Sequence, residues 1–507
     1  MPEHAATPEP KKPRARMDLT QGPISRTLLM FSLPVLGTSV LQSLNASINA
    51  IWVGRLLGPE ALTATTNATL ILLLLLGVTF GLGMAATILV GQAVGAKNLT
   101  RAKEIVGTTA TFFLALGVIM AIVGFAAAEQ LLQWMDTPPE ARAMAEDYLR
   151  VIFLAVPFMY FFAFMVMAQR GAGDARIPFY FTTLATLLDL VFNPILITGF
   201  GPFPEMGIAG SGTSLLLSQA IGMVAMLIYI YLRKSELRLT RQELHYLKPR
   251  GELLRTITLK GLPMGAQMLV ISLSGLIVMS MINGYGTETA AAYAVAVQLW
   301  TYVQMPAMAI GAAVSSMAAQ NVGAGKWDRV ERSAHSGVLI NVLLTGGLVA
   351  ILFVIDPLVV GLFLPGQPSA IVAAEHINNI AGWSFIFFGM TFVLFGVVRA
   401  TGAVIPPLII LIVSLFGVRI GFAELLQPAW GQDAIWWSFP ISMMTSAGLA
   451  LAYYRWGGWR KARMGATAPP ARHVEDAPAT GLGEPPLGAE IAEEGAVTLA
   501  EEAKPTR

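Results

Sequence analysis

Apolar residues run almost unbroken along most of this chain, interrupted at intervals by short stretches of charge, glycine and proline. The runs approach the roughly 20 residues that an α-helix needs to cross a bilayer. They predict spans near 28–53, 62–92, 105–128, 148–169, 178–199 and 208–232, then near 261–283, 290–320, 335–355, 377–398, 404–426 and 435–455. A polar stretch, 233–260, divides them six and six. The Pro-rich, charged residues 1–21 predict a disordered arm, and 465–507, rich in Ala, Pro, Gly and Glu, a disordered tail. The expected fold is all-α and integral to a membrane: twelve transmembrane helices in an N-terminal lobe (22–232) and a C-terminal lobe (261–464), joined by the linker 233–260.

The two sixes repeat. Pro34 in FSLPVLG matches Pro263 in KGLPMGA, and the segment from Gly58 to Glu60 matches that from Gly286 to Glu288. GQAVGA from Gly91 matches AQNVGA from Ala319, and Arg170, Gly173 and Pro178 match Arg399, Gly402 and Pro407. Six helices per unit is an even number. The halves are therefore two six-helix bundles in a parallel repeat, with a pseudo-twofold axis along the membrane normal.

Composition agrees with the pattern and adds orientation. The chain is 55% hydrophobic and only 13% charged, against about 25% charged in a soluble domain. All of the 33 Lys and Arg residues except Arg55, Arg142, Arg150 and Arg419 fall before the first span, in the loops after even-numbered spans, or from the end of the last span onward. That bias predicts a plasma (inner) membrane protein with both termini in the cytoplasm. Residues 1–21 lack the short apolar core of a cleavable signal. The chain has no cysteine, so thiolate metal sites and cysteine nucleophiles are excluded, and a net charge of +2 gives no nucleic-acid partner.

Chemistry concentrates at one place. The segment 182–200, TTLATLLDLVFNPILITGF, carries Asp189 near the middle of an apolar helix, with Asn193 one turn on. A carboxylate at bilayer depth costs roughly 3 kcal/mol to insert and is usually kept for function; the structural alternative is a polar contact between helices. On the first helix Gln42, Asn45 and Asn49 fall within an arc of about 60° and form one polar face. These faces are expected to meet as an ion-coupling site of Asp189, Asn193, Asn49, Asn45 and Gln42, with no other acid at comparable depth. Arg419 needs a partner, for which Glu424 is the candidate.

The motifs SLPVLGTSVLQSL, GQAVGAKN with AAQNVGAGK, NPILITGFG and GIAGSG resemble the MATE family of multidrug and toxin exporters. The run LPMGAQ…GYGTETAAAYAV is most similar to its DinF-like bacterial branch. The resemblance implies secondary active antiport by alternating access, exporting amphiphilic, often cationic compounds in exchange for H+ or Na+. It departs from the family in three places. Asn49 stands where an aspartate is usual, the Asn/Asp order in the fifth helix is reversed, and Ile271 and Phe388 replace the acids of the NorM-like branch.

A substrate surface is expected from Asn67 and from Met268, Trp300 and Met305, because methionine and aromatic side chains repack around varied amphiphiles. Ordinary packing is the alternative. No cofactor and no protein-bound metal are expected, unless Na+ rather than a proton loads Asp189; the partners are a small amphiphilic molecule and lipid, and the chain is expected to act as a monomer. No P-loop, HExxH or nucleophile elbow occurs, so the chain is not expected to be an enzyme. Two other readings stay open: a flippase of lipid-linked sugars and an integral membrane enzyme.

Overall fold

The structure, a computed structural model, describes residues 17–135 and 137–464. Six long helices build the first lobe: α1 (Ile24–Leu57), α2 (Pro59–Gly95), α3 (Leu99–Trp134), α4 (Pro139–Gly171), α5 (Arg176–Thr198) and α6 (Ile208–Leu232). Six more build the second: α7 (Gly251–Asn283), α8 (Thr287–Gly323), α9 (Trp327–Phe363), α10 (Pro368–Thr401), α11 (Ile405–Trp430) and α12 (Gln432–Trp456). A 3-10 turn at Gly382–Ser384 interrupts α10, and a wider π turn at Val413–Ile420 interrupts α11.

Eleven of these helices are long and apolar enough to cross a membrane, and the chain is an integral membrane protein. The exception is α8. Its Ser315, Ser316, Gln320 and Asn321 lower its hydropathy, yet all four are buried inside the protein.

Two boundaries differ from those expected. α7 begins at Gly251, ten residues inside the expected linker, because 251–260 continues the helix beyond its apolar part. Residues 17–21 are not a loose arm. Leu19 is fully buried and its carbonyl accepts from Asn321 Nδ2 at 3.1 Å, while the Gln21 and Gly22 carbonyls accept from Arg329. The rest of the arm (1–16) and the tail (465–507) lie outside the described residues.

The helices alternate in direction, so the basic loops gather at one end, here the basic end, opposite the far end. The lobes join at the basic end. Gln92 Nε2 of α2 donates to the Ala400 carbonyl at 2.7 Å, and its repeat partner Gln320 of α8 donates to the Gly171 carbonyl at 2.9 Å. Gly81 packs on the backbone of Gly261 and Gly265 where α2 crosses α7, and a Cβ there would have no room. One apolar core runs through both lobes here, with Leu28 and Phe31 of α1, Ile88 of α2, Val314 and Met317 of α8 and Val330 of α9. In the far half, the second lobe has a core of its own, including Val278, Trp300, Ile377 and Trp436, to which the first lobe contributes no described residue. The lobes are fused at one end and separately packed at the other.

Candidate functional site

Inside the first lobe, small residues let α6 press closely on its neighbours. A Cβ at Gly210 would collide with the Leu196 carbonyl of α5, and one at Gly212 would crowd Val151 and Tyr148 of α4. The GIAGSG stretch therefore brings the Ser211 and Ser214 hydroxyls against α5, where Asp189 is buried with 3% exposure and Asn193 with 2%.

The polar side chains form two layers, one helical turn apart. In the layer nearer the basic end, Asn45 Nδ2 of α1 donates to Asp189 Oδ2 at 2.8 Å, and Ser214 Oγ donates to Asp189 Oδ1 at 2.6 Å. In the next layer, Asn193 Nδ2 donates to Asn49 Oδ1 at 3.1 Å and to Ser211 Oγ at 3.2 Å. The Ser211 hydroxyl in turn donates to Asn49 Oδ1 at 2.9 Å. The buried Tyr148 of α4 lies against Asn49 and Ser211. The register follows from chain direction. α1 and α5 run toward the far end and offer pairs four residues apart; α6 runs back, so Ser211 meets the outer layer and Ser214 the inner one.

The chemistry of the inner layer is that of an isolated acid. Each carboxylate oxygen of Asp189 accepts one hydrogen bond from a neutral group, and no described ion pair involves it. A buried charge without an opposite charge beside it is costly, and neutral donors offset part of that cost. Taking up a proton or a monovalent cation removes the rest. In the outer layer Asn193 Oδ1 is buried without a partner. No cluster of three or more His, Cys, Asp or Glu suited to a metal occurs among the described residues.

The structure sorts the expected residues. Asp189, Asn193, Asn45 and Asn49 come together, but the direct partners of Asp189 are Asn45 and Ser214, with Asn49 and Asn193 bonded to each other one layer away. Gln42 is exposed and stands outside the network: it lies almost one turn nearer the basic end than Asn45, beyond the two layers that α5 and α6 complete. Of the expected substrate residues, Met268 and Met305 are half-buried. Trp300 is not available to line a path: it is 2% exposed and donates Nε1 to Asn378 Oδ1 at 2.9 Å within the second lobe. The side chain of Asn67 lies outside the described residues. Arg419 does not pair with Glu424. It donates Nε to Ser442 Oγ at 3.0 Å and lies 4.4 Å over the Phe439 ring, both on α12.

Two matches of one family model, MatE, fall on residues 34–195 and 263–425, one per lobe, and together take up more than half of the chain. The chain belongs to the MatE family. The matched segments reproduce the internal repeat, each starting at the proline of its half. Among curated MatE-like relatives, "Probable multidrug resistance protein YoeA" of Bacillus subtilis is 34% identical over 86% of this chain and 94% of its own length. "Probable multidrug resistance protein YpnP" of the same organism is 30% identical over 88% and 98%. The fold matches a solved structure described as the outward-facing conformation of a multidrug resistance MATE family transporter, with a TM-score of 0.81, 21% identity and coverage of 88% of this chain and 98% of that one.

Sequence reasoning missed Ser211, Ser214 and Tyr148. Serines are common in apolar helices and carry no periodic signal of their own; the only hint was the small-residue run that holds them. It also missed a second buried acid, Asp356 of α9, 3% exposed. The expected ninth span ended at 355, one residue short of it, and Asp-Pro is a combination that disfavours a continuing helix. Instead α9 continues through Pro357 to Phe363.

Proposed function

We propose that this MatE protein is a cation-coupled exporter of amphiphilic, often cationic compounds, working by alternating access with a proton as the coupling ion at Asp189. The observation that carries this reading is the isolation of Asp189. It is a buried carboxylate held only by neutral donors, in a lobe fused to its twin at one end alone.

Protonating Asp189 removes a charge from bilayer depth and turns one acceptor into a donor. That changes what Asn45 and Ser214 can offer it, and so changes the packing of α1 and α6 on α5. It also lowers attraction for a cationic substrate. Proton and substrate then favour different states of one site, which is the reciprocity that antiport requires. A proton suits the site better than Na+, because Asn45 Nδ2 and Ser214 Oγ–H present hydrogen to the carboxylate where a metal ion would need lone pairs. The names of the relatives, both probable multidrug resistance proteins, support export of foreign compounds. The charge bias of the loops supports a topology with both termini in the cytoplasm. The far end then faces outside, and the state described here is open outward. Each chain carries both lobes, so a monomer in lipid is the transporting unit.

The test is transport by purified protein in proteoliposomes. An imposed pH gradient should drive accumulation of a fluorescent cationic dye without ATP. Asp189→Asn should insert and fold but lose gradient-driven transport, and Asp189→Glu should keep part of it with a shifted pH dependence. Equal rates for Asp189→Asn and the parent under one gradient would overturn the assignment. Movement of a lipid-linked sugar with no dye transport would favour a flippase.

A further inference from the structure

We propose that Asp356 is a second proton-carrying group, placed in the C-terminal lobe, so that two carboxyls load in each transport cycle. The inference rests on the cation-coupled reading above and extends it to the lobe for which that reading names no ion.

Asp356 lies at lipid depth. Val354, Leu358 and Leu362 on the same stretch of α9 are exposed and apolar, at 82%, 70% and 75%, as a surface facing hydrocarbon would be. Asp356, between them in sequence, turns inward. At 1.5 Å per residue it sits about 10 Å from the far end of α9, and Asp189 sits about 14 Å from the far end of α5.

The surroundings of Asp356 are less complete than those of Asp189. Asn378 Nδ2 of α10 donates to Asp356 Oδ1 at 2.7 Å, and Asn378 Oδ1 accepts from Trp300 Nε1 of α8. Asp356 Oδ2 is buried with no hydrogen-bond partner. An ionised carboxylate in this setting leaves a charged oxygen unsolvated, the costliest kind of orphan. Protonating that oxygen removes the charge and supplies an O–H. An acceptor is close along the chain, because Pro357 has no N–H and leaves the Phe353 carbonyl without its usual helical donor.

Other charges do not neutralise the group. Glu375 of α10 acts on it as a like charge. His376 is occupied with Asp433 of α12 at 2.8 Å. On α8, Trp300 bonds to Asn378, and Arg419 of α11 lies over the Phe439 ring of α12. The set also argues for a proton over a metal ion. Asn378 Nδ2 and Trp300 Nε1 are donors and Asn378 Oδ1 is already used, so besides Asp356 itself only the Phe353 carbonyl is left as an acceptor among these groups, too few to replace the water around Na+.

The arrangement can move. The 3-10 turn at Gly382–Ser384 breaks α10 one turn beyond Asn378, and Pro357 breaks the hydrogen-bond ladder of α9 beside Asp356. Both helices that hold the acid are therefore interrupted next to it. In each cycle a proton passes from water on one side to Asp356 Oδ2, and from there to water on the other side.

The experiment is the proton-to-substrate ratio, read from the reversal potential of dye transport in proteoliposomes. The wild type should give two protons per substrate, and Asp356→Asn should give one, with transport still gradient-driven. A ratio unchanged in Asp356→Asn overturns the proposal. If the wild type shows no gradient-driven transport at all, it is the exporter reading that fails. Infrared difference titration of detergent-purified protein then still reads the group: of the protonated-carboxyl bands in the wild type, one should be missing in Asp356→Asn and shifted in Asp356→Glu, while that of Asp189 stays. The same set of bands, unshifted, in all three overturns the proposal. Asp356→Glu also serves as the transport variant if Asp356→Asn does not fold, and it should keep the ratio at two.

Discussion

Gln92 and Gln320 occupy the same position in the two halves, and each donates its side-chain amide to a backbone carbonyl at the end of a helix in the other lobe. Their backbones are as closely engaged as their side chains: a Cβ built on Gly323 meets the Gln92 carbonyl, and one built on Gly95 meets the Gln320 carbonyl, closer than real Cβ atoms approach. The basic end is thus closed by a pseudo-symmetric crossing of α2 and α8. That crossing must part if the lobes are to open there.

Adding bulk at this crossing should destabilise the closed basic end. Gly95→Val or Gly323→Val forces backbone apart, an overpacking cost of about 1–3 kcal/mol. Because the far end does not depend on this contact, the penalty should fall on the state closed at the basic end and shift population away from it. Spin labels across the basic end should report a longer mean distance in either variant, with transport reduced. A distance distribution identical to the parent would show that the crossing does not set the equilibrium.

Orientation can be read directly because the chain contains no cysteine. His245 in the linker and Thr287 at the start of α8 are both exposed and lie at opposite ends of the helices. In sealed cells, the thiol of His245→Cys should react only with a reagent that crosses the membrane, and Thr287→Cys with an impermeant one. Both reacting from outside would contradict the topology derived from charge.

The linker between lobes is clipped to α3 by an ion pair, Lys103 Nζ to Glu243 Oε1 at 2.7 Å. The Lys103 hydrogen bond holds the Glu243 carboxyl down at about 2, and the N–H and hydroxyl of Thr240 reinforce it. A lowered acid pKa stabilises the docked form fully above its ordinary value, near 4.5, and that contribution is lost as pH falls toward about 2. Protease cleavage within 233–250 should therefore be slow at neutral pH and speed up between those limits. Glu243→Gln should be cleaved faster at neutral pH, and added salt should narrow the difference because the pair is partly exposed.

Much of this architecture was legible in the chain because membrane helices announce themselves. Twelve apolar runs, the offset repeat and the basic loops each follow from the bilayer acting as solvent, and the helices stand where those signals put them. α8 was legible as well, as an apolar run near 290–320, despite its polar residues. The site was legible only in part. A carboxylate in an apolar run is conspicuous, and an amide four residues away on one face is nearly so, which is why Asp189, Asn193, Asn45 and Asn49 were expected together. Which amide reaches which acid depends on the relative height of α1 and α5, and no local pattern encodes it. Asp356 escaped because the expected span stopped one residue short of it; Asp-Pro disfavours a continuing helix, a preference overridden here by packing of α9 against α8 and α10.

The two layers of the first-lobe site separate by mutation. Asn45→Ala and Ser214→Ala each remove a donor to Asp189, leaving one carboxylate oxygen without its partner at a cost of about 1–3 kcal/mol to the ionised form. The cost falls on the charged state, so proton affinity should rise and the pH dependence of transport should move to higher pH. The change amounts to roughly tenfold in affinity per 1.4 kcal/mol. Asn49→Ala and Ser211→Ala act on the outer layer, where the donors and acceptors are neutral in every state. They should lower stability or the transport rate while leaving the pH dependence where it is. If Asn49→Ala shifts the pH profile as far as Asn45→Ala does, the layers titrate as one unit and the separate role of the inner one is wrong.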